Sequence, residues 1–352
     1  VLGIPGHLLR SGLADAAIWA GASARGDRER ALAAELRLRF LRGFAAERRR
    51  SRRPAGRPGP IAAGPAVPGA VTVIIPCYNH ARFLAEAIRS VAPDAGREAD
   101  IVVVDDGSTD GSSAVAARFP QVRCVRQANR GLAAARNRGL AEARGEFVVF
   151  LDADDRLLPG GLEIGAAALE RHPGCAMAFG RCLMMDEEGR LLPTPPLGMI
   201  DSGHHRAFLR TNPIWMPGAA MFRRDVVARL GGFREGFDAA ADYDLYLRLV
   251  RTAAVHDHGE PVAAYRQHGS NMSGSASRML HDTLAVVRQH RPAGRGPLRE
   301  AWRDGRIAWK AFYGTHLVEE IRGHWRARAY GAACRKALTL ASRHPRMAVR
   351  EA

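Results

Sequence analysis

The stretch VVVDDGSTDGS, residues 102–112, decides the fold. Ile101 to Val104 are four consecutive β-branched residues, which marks a strand buried on both faces. The run breaks abruptly into two carboxylates and a Gly/Ser/Thr/Asp turn, and Ser112 to Phe119 then takes helical spacing. The same unit recurs on either side. Val71 to Ile75 is an apolar run that stops at Pro76, and Ala81 to Val91 spaces Phe83, Ala87, Ile88 and Val91 as one helical face. Val122 to Val125 reads as a strand, Leu132 to Ala143 as an Ala-rich helix and Phe147 to Leu151 as another buried strand. Strand and helix alternating through short connections predict a mainly parallel α/β sheet flanked by helices, with right-handed crossovers. Ligands of such sheets bind beyond the carboxyl ends of the strands.

Acid stands at two of those ends. The second strand runs into Asp105-Asp106-Gly107-Ser108-Thr109-Asp110, and the fourth into Asp152-Ala153-Asp154-Asp155. One such turn is explained by capping alone, with Asp110 or Ser108 at a helix start. Two clusters at one sheet edge repel each other and need a compensating partner. Asp152 and Asp154, two apart, point to the same side of an extended segment. They form a hard-oxygen site suited to Mg²⁺ or Mn²⁺ with room left for phosphate oxygens.

The chain has 352 residues and a formal net charge of +16, but the charge lies in the flanks. Residues 1–70 carry a net +8 and residues 281–352 a net +9, so the stretch between is close to neutral. A nucleic-acid binder would carry its basic surface on the folded module, so that class is set aside. The organisation expected is a basic helical extension over 1–50, a Pro/Gly/Ala linker over 51–70, an α/β domain over 71–275 and a basic helical extension over 276–352. Between Asp27 and Arg53, Leu32, Leu36 and Phe40 recur at helical spacing among arginines. Such a helix either meets an acidic membrane surface or packs on its own domain. The uncharged stretch 58–81 holds five prolines and cannot span a membrane as a helix. No secretory leader pattern is seen, and five scattered cysteines make no disulfide framework, so a cytoplasmic location is expected, with peripheral contact at the inner face of the membrane.

Read together, VTVIIPCYN (71–79), VVVDDGSTDGS (102–112), NRGLAAARNRGL (129–140) and FLDADD (150–155) resemble the successive signatures of the family-2 glycosyltransferases. GAAMFRRDVVARLGGF (218–233), ADYDLYLRL (241–249) and YRQHGSNMS (265–273) continue the likeness in the family's order. The resemblance implies a GT-A fold and an inverting transfer of sugar from a nucleotide-diphosphate donor, in glycan, polysaccharide or glycolipid synthesis, to a glycan or lipid-linked acceptor. It implies that Asp106, with Asp105 as its substitute, accepts a hydrogen bond from the base, UDP being the donor nucleotide expected. Pro76, Tyr78 and Asn79 would line the base and ribose pocket. Arg136 would reach the base or the diphosphate. Asp154 would hold the metal, Asp152 the ribose, and His268 would reach the metal or diphosphate from a closing loop. The family writes Glu-Asp where this chain has Ala241-Asp242.

The base follows from helical spacing. Leu245 and Leu249 lie at i+3 and i+7 from Asp242, which puts Asp242 on the inward face. Asp244 has Arg248 at i+4, and the spacing predicts a solvated surface pair there. Trp215 and Met216 would either stack on a sugar or pack in the core. Gly231-Gly232 would end a helix through a left-handed turn. Two other readings remain: a nucleotidyltransferase, which would want a Gly-rich triphosphate loop where VIIPCYNH has none, and an inactive sugar-nucleotide-binding relative, for which Ala241 is the hint.

Overall fold

The computed structural model describes residues 59–91, 99–237 and 239–343. The basic helix expected over 27–53 lies outside them. The strands are β1 (Val67–Cys77), β2 (Ala99–Asp105), β3 (Val122–Arg126), β4 (Gly145–Phe150), β5 (Arg156–Leu157), β6 (Cys175–Met185), β7 (Leu191–Leu192), β8 (Ala220–Arg223) and β9 (Ala254–Arg266). The helices are α1 (Ala81–Ser90), α2 (Ser112–Ala116), α3 (Leu132–Glu142), α4 (Gly161–Arg171), α5 (His204–Arg210), α6 (Arg224–Arg229), α7 (Ala241–Thr252), α8 (Ala276–Gln289), α9 (Pro297–Arg326) and α10 (Tyr330–Arg343).

One sheet runs in the order β3-β2-β1-β4-β8-β6-β9-β5, with β7 added to β6. Its first half is parallel, as the buried apolar runs predict: β1 pairs with β2 and β4, and β2 with β3. The second half adds three short antiparallel strands to a sheet that stays mainly parallel. The short β8 enters antiparallel between β4 and β6, and β5 and β7 are antiparallel too, whereas β6 and β9 are parallel. Because β8 reverses twice over, β6 and β9 point the same way as β1, β2 and β4. The carboxyl ends of all five strands therefore open on one edge.

The core sits where the sheet meets its helices. Val102, Val104 and Ala135 close on one another, with Val125 beside them. Gly139 lets α3 lie flat on β1: a Cβ there would stand 2.2 Å from Ile74 Cγ2. The fully buried Thr72 hydroxyl donates to Asp100 Oδ2 (3.1 Å) and accepts from the Arg144 and Gly145 amides, pinning β1, β2 and β4 at their starts.

The chain divides into two compact units. The sheet-bearing unit takes in residues 282–308 as well as the sheet. Side chains tie that stretch to the sheet's helices: Asp282 accepts from the Ala239 amide (3.2 Å), and His290 Nε2 meets Asp244 of α7 (2.9 Å). In the other unit, the described residues are Ser275–His281 and Trp309–Arg343. There Glu320 accepts from the Ala276 amide (3.0 Å) and pairs with Lys336. No helix among the described residues is long and apolar enough to cross a membrane.

Candidate active site

The loops after β1 and β2 are zipped together by their own polar groups. Asn79 adopts a left-handed conformation (φ 57°), and its side-chain oxygen accepts from the Thr109 amide (2.8 Å). The amides of Asn79, His80 and Ala81 donate to Ser108 Oγ, Ser112 Oγ and Asp110 Oδ2. Asp110 also accepts from the Ser112 amide and hydroxyl just ahead of α2, but the cap residue of that helix is Gly111, not Asp110 or Ser108. Pro76 is buried at the end of β1, while Tyr78 is 47% exposed, leaving its ring free at the edge.

Asp105 is wholly buried. It accepts from the Ser108 amide (2.8 Å) and the Ser113 hydroxyl, with Arg126 3.7 Å away. Burial works to raise its pKa, and these hydrogen bonds outweigh it and hold the carboxyl below its ordinary value. Asp106 takes three donors: Gln127 Nε2 (2.7 Å) and the Arg130 amide (2.9 Å) on Oδ1, and the Gly131 amide (2.8 Å) on Oδ2. One lone pair of Oδ2 stays open to a ligand donor. Gln127 escaped the sequence reading because no spacing rule ties it to Asp106.

Arg136 corrects an expectation. Its guanidinium does not reach outward for the base or the diphosphate. It is 3% exposed, donates to Asp152 Oδ1 (2.6 Å) and lies over the Phe233 ring at 5.1 Å. Helix α3 turns it inward under the acidic loop, where it answers the charge of that loop. Asp242, in the first turn of α7, feels the charges of both Arg136 and Asp152. Burial pushes the Asp242 carboxyl above its ordinary pKa, and Arg136 offsets part of the rise. Its side chain is neither fully exposed nor sealed, and Oδ1 accepts from the Tyr243 amide (2.8 Å).

Asp244 corrects a second expectation. It has no solvent exposure and is gripped by Arg248 Nε (2.8 Å), Arg234 Nη1 (3.0 Å) and His290 Nε2 (2.9 Å). Helix α7 is covered on nearly every side, from Tyr243 to Val250, so the i,i+4 pair is internal. Arg248 also donates to the Leu230 carbonyl (2.8 Å) and to that of Gly232. Gly231 and Gly232 do take the left-handed turn after α6 (φ 79° and 62°). Of the sugar-stacking candidates, Met216 is in the core and Trp215 half-buried.

At the far strand, β9 delivers His268 to the acidic loop. His268 Nε2 lies 2.9 Å from Asp154 Oδ2, and Nδ1 faces Ser270 Oγ at 2.8 Å. Burial would lift the Asp154 pKa, but the hydrogen bond from His268 and the nearby His80 hold it down. The loop is fastened from below: Asp155 accepts from the Arg266 amide (2.8 Å), and Arg266 Nε donates to the Asp154 carbonyl (2.7 Å). Arg266 is 1% exposed. No cluster of three metal-ligating side chains exists among the described residues. A carboxylate and an imidazole facing each other fit a divalent ion whose remaining positions are filled by phosphate oxygens. Ser270 Oγ can accept from Nδ1–H, which would free Nε2 as a ligand.

Residues 72–231 match the family model "Glycosyl transferase family 2". Over 213 residues the chain is 34% identical to an uncharacterized Mycobacterium tuberculosis protein, covering 55% of this chain and 66% of that one. It is 30% identical to the O-antigen biosynthesis protein RfbC of Myxococcus xanthus, covering 62% of this chain and 17% of that protein. It is also 27% identical to the chondroitin synthase of Escherichia coli, covering 58% and 30%. The chain thus spans less than two thirds of the length of these relatives. In structure it is similar to S. aureus TarS 1–349 in complex with UDP-GlcNAc (TM-score 0.55, 17% identity, 78% of this chain and 92% of that one). The mannosyltransferase PcManGT from Pyrobaculum calidifontis, in complex with GDP-Man and Mn²⁺, is similar too (TM-score 0.54, 20% identity, 95% and 97%). With the parallel half-sheet, the ordered motifs and the acidic edge already in place, these likenesses identify residues 72–231 as a family-2 glycosyltransferase domain, on a GT-A fold.

Proposed function

We propose that the protein transfers a sugar from a nucleoside-diphosphate donor, a UDP-sugar, to an acceptor hydroxyl with inversion, in polysaccharide or glycolipid synthesis. The observation that carries this reading is the convergence of Asp242, Arg136 and Asp152 on one side of the edge where β9 brings His268 to Asp154. Asp242 takes the proton of the acceptor hydroxyl as that oxygen attacks the anomeric carbon, and the nucleoside diphosphate leaves from the opposite face. One displacement inverts the configuration. Asp152 is held by Arg136 as a fixed acceptor for donor hydroxyls rather than as a nucleophile. Tyr78, Asn79, Asp105 and Asp106 frame the base and ribose end. Asp154 and His268 would hold Mn²⁺ or Mg²⁺ on the diphosphate, and a bound ion there supplies Lewis-acid stabilisation of the leaving charge.

The relatives named for O-antigen and chondroitin synthesis support a carbohydrate acceptor. The basic flanks support a place at the cytoplasmic face of an acidic membrane. Two variants test the core of the reading. Asp242→Asn should lower turnover about 10²–10⁴-fold with UDP affinity unchanged. Asp154→Ala should remove the extra thermal stabilisation that UDP gives with Mn²⁺ over UDP with EDTA. Normal transfer by the Asn variant, or UDP binding indifferent to metal in the parent protein, would overturn it.

A further inference from the structure

Tyr246 stands one helical turn beyond Asp242 and on the same face of α7. Its side chain is fully buried. The ring stacks on Phe222 (centroids 6.2 Å apart, 11° between planes) and meets Phe208 edge-on (6.2 Å, 80°). Aromatic packing of this kind is served equally well by phenylalanine. Yet the position carries a hydroxyl, and that hydroxyl has no hydrogen-bond partner among the described residues.

A second buried polar group has none either: the Nε–H of Arg136. Both converge on the same pair of carboxylates: Tyr246 stands one turn past Asp242 on α7, and Arg136 holds Asp152, whose charge acts on Asp242 and Tyr246 alike. Buried donors without partners are rare in folded proteins, and two in one place call for a shared acceptor. Each nearby carboxylate keeps one oxygen in reserve. Asp152 uses Oδ1 for Arg136 Nη2, and Asp242 uses Oδ1 for the Tyr243 amide.

We infer that Tyr246 Oη–H and Arg136 Nε–H together hold one water molecule beneath Asp242, and that this water fixes the orientation of its carboxylate. The water accepts from Oη–H and from Nε–H, and it donates to the second oxygens of Asp242 and Asp152. Two buried donors and two carboxylate oxygens supply the two to four polar partners that an ordered water requires. Tyr246 is then a positioning residue: it touches neither donor nor acceptor, and it acts through the base. The proposal rests on Asp242 being that base.

The test is Tyr246→Phe in the full-length chain, which keeps the ring and removes only the hydroxyl. Loss of a hydroxyl that binds nothing leaves stability unchanged or raises it, because an unpaired buried group is relieved. Loss of a hydroxyl that holds the water makes the unfolding equilibrium in urea at pH 7 about 3- to 10-fold less favourable to the fold. In an Asp242→Ala background, with the carboxylate gone, the effect of Tyr246→Phe should shrink to less than about twofold. Hydrolysis of UDP-N-acetylglucosamine should lose about tenfold in kcat at unchanged KM. Unchanged or increased stability in Tyr246→Phe, or equal effects in the two backgrounds, overturns the inference. A stability coupling that persists while Asp242→Asn still transfers sugar at the parent rate leaves the water in place and removes the base reading instead.

Discussion

Replacing Asp244 by Asn is the most informative single perturbation of the scaffold. The carboxylate has no exposure, and it faces three donors at 2.8, 3.0 and 2.9 Å on Arg248, Arg234 and His290. Those partners are themselves inside: the side chains of Arg248 and Arg234 are 5% and 13% exposed. Asn keeps the shape and one acceptor oxygen but leaves two guanidinium groups without their counter-charge. Breaking a buried pair in this way costs about 3–5 kcal/mol. At roughly 2–4 °C per kcal/mol for a unit of this size, that is a fall of about 6–20 °C in melting temperature. Urea and thermal unfolding followed by circular dichroism at pH 7 measure it directly. The pH dependence has a definite sign. Burial opposes ionisation of Asp244, but the hydrogen bond from His290 and the charges of Arg248 and Arg234 win and hold its pKa below the ordinary value. The stability this carboxylate brings is present above about pH 3.9 and is lost as pH falls through the lower folded-state pKa. The deficit of the variant should therefore persist at pH 5 and close below about pH 4. A loss under about 1 kcal/mol at pH 7, the value of an exposed pair, would refute the buried cluster.

Three further outcomes are expected. His258 is driven down to about 4 by burial, with His256 and Arg181 adding to the shift against Asp257; because the unfolded chain titrates near 6.5, about 3 kcal/mol of stability should be lost between pH 6.5 and 4, and His258→Asn, whose amide oxygen can replace Nδ1 as acceptor for the Glu260 amide, should flatten that slope in urea titrations at several pH values. Gly139→Ala should destabilise by about 1–3 kcal/mol, since its Cβ would stand 2.2 Å from Ile74 Cγ2, and a more stable variant would show that α3 rides further from β1. The full-length chain should sediment with anionic vesicles at low salt and be released as salt rises, because the Debye length shortens to about 8 Å at physiological ionic strength; equal binding to neutral vesicles would dismiss the electrostatic role of the flanks.

The half of the sheet from Val71 to Phe150 was readable because β1, β2 and β4 are buried on both faces, with only the edge strand β3 part-exposed, and each helix has one apolar side. The other half was harder, since β5 and β7 have two residues each and β8 four, too few for a period to register. The chemistry-bearing positions were visible for a similar reason: acids that follow a buried strand have no structural excuse in that number. What spacing could not show was where charge is answered. Asp244 announces Arg248 four residues on, but its other partners, Arg234 and His290, are 10 and 46 residues away. Arg136 looks like one arginine among many until α3 turns it under Asp152. Tyr246 reads as one more apolar position of α7, because a pattern rule weighs the ring and ignores the hydroxyl.

The acidic loop after β4 is completed from the other end of the domain: Asp155 meets the Arg266 amide 111 residues away, and Asp154 meets His268 across 114. The end proposed to bind the base, by contrast, is closed by contacts of about 30 residues between the loops after β1 and β2. Closing a long loop costs entropy before it returns any contact. During synthesis the loops after β1 and β2 can therefore take shape well before β9 has emerged, whereas the acidic loop must wait for the last strand. A nascent chain passes through a stage in which the first pair of loops is closed while Asp154 and Asp155 still lack their partners. The proposed site is in this way complete only in chains that have been made at least as far as His268.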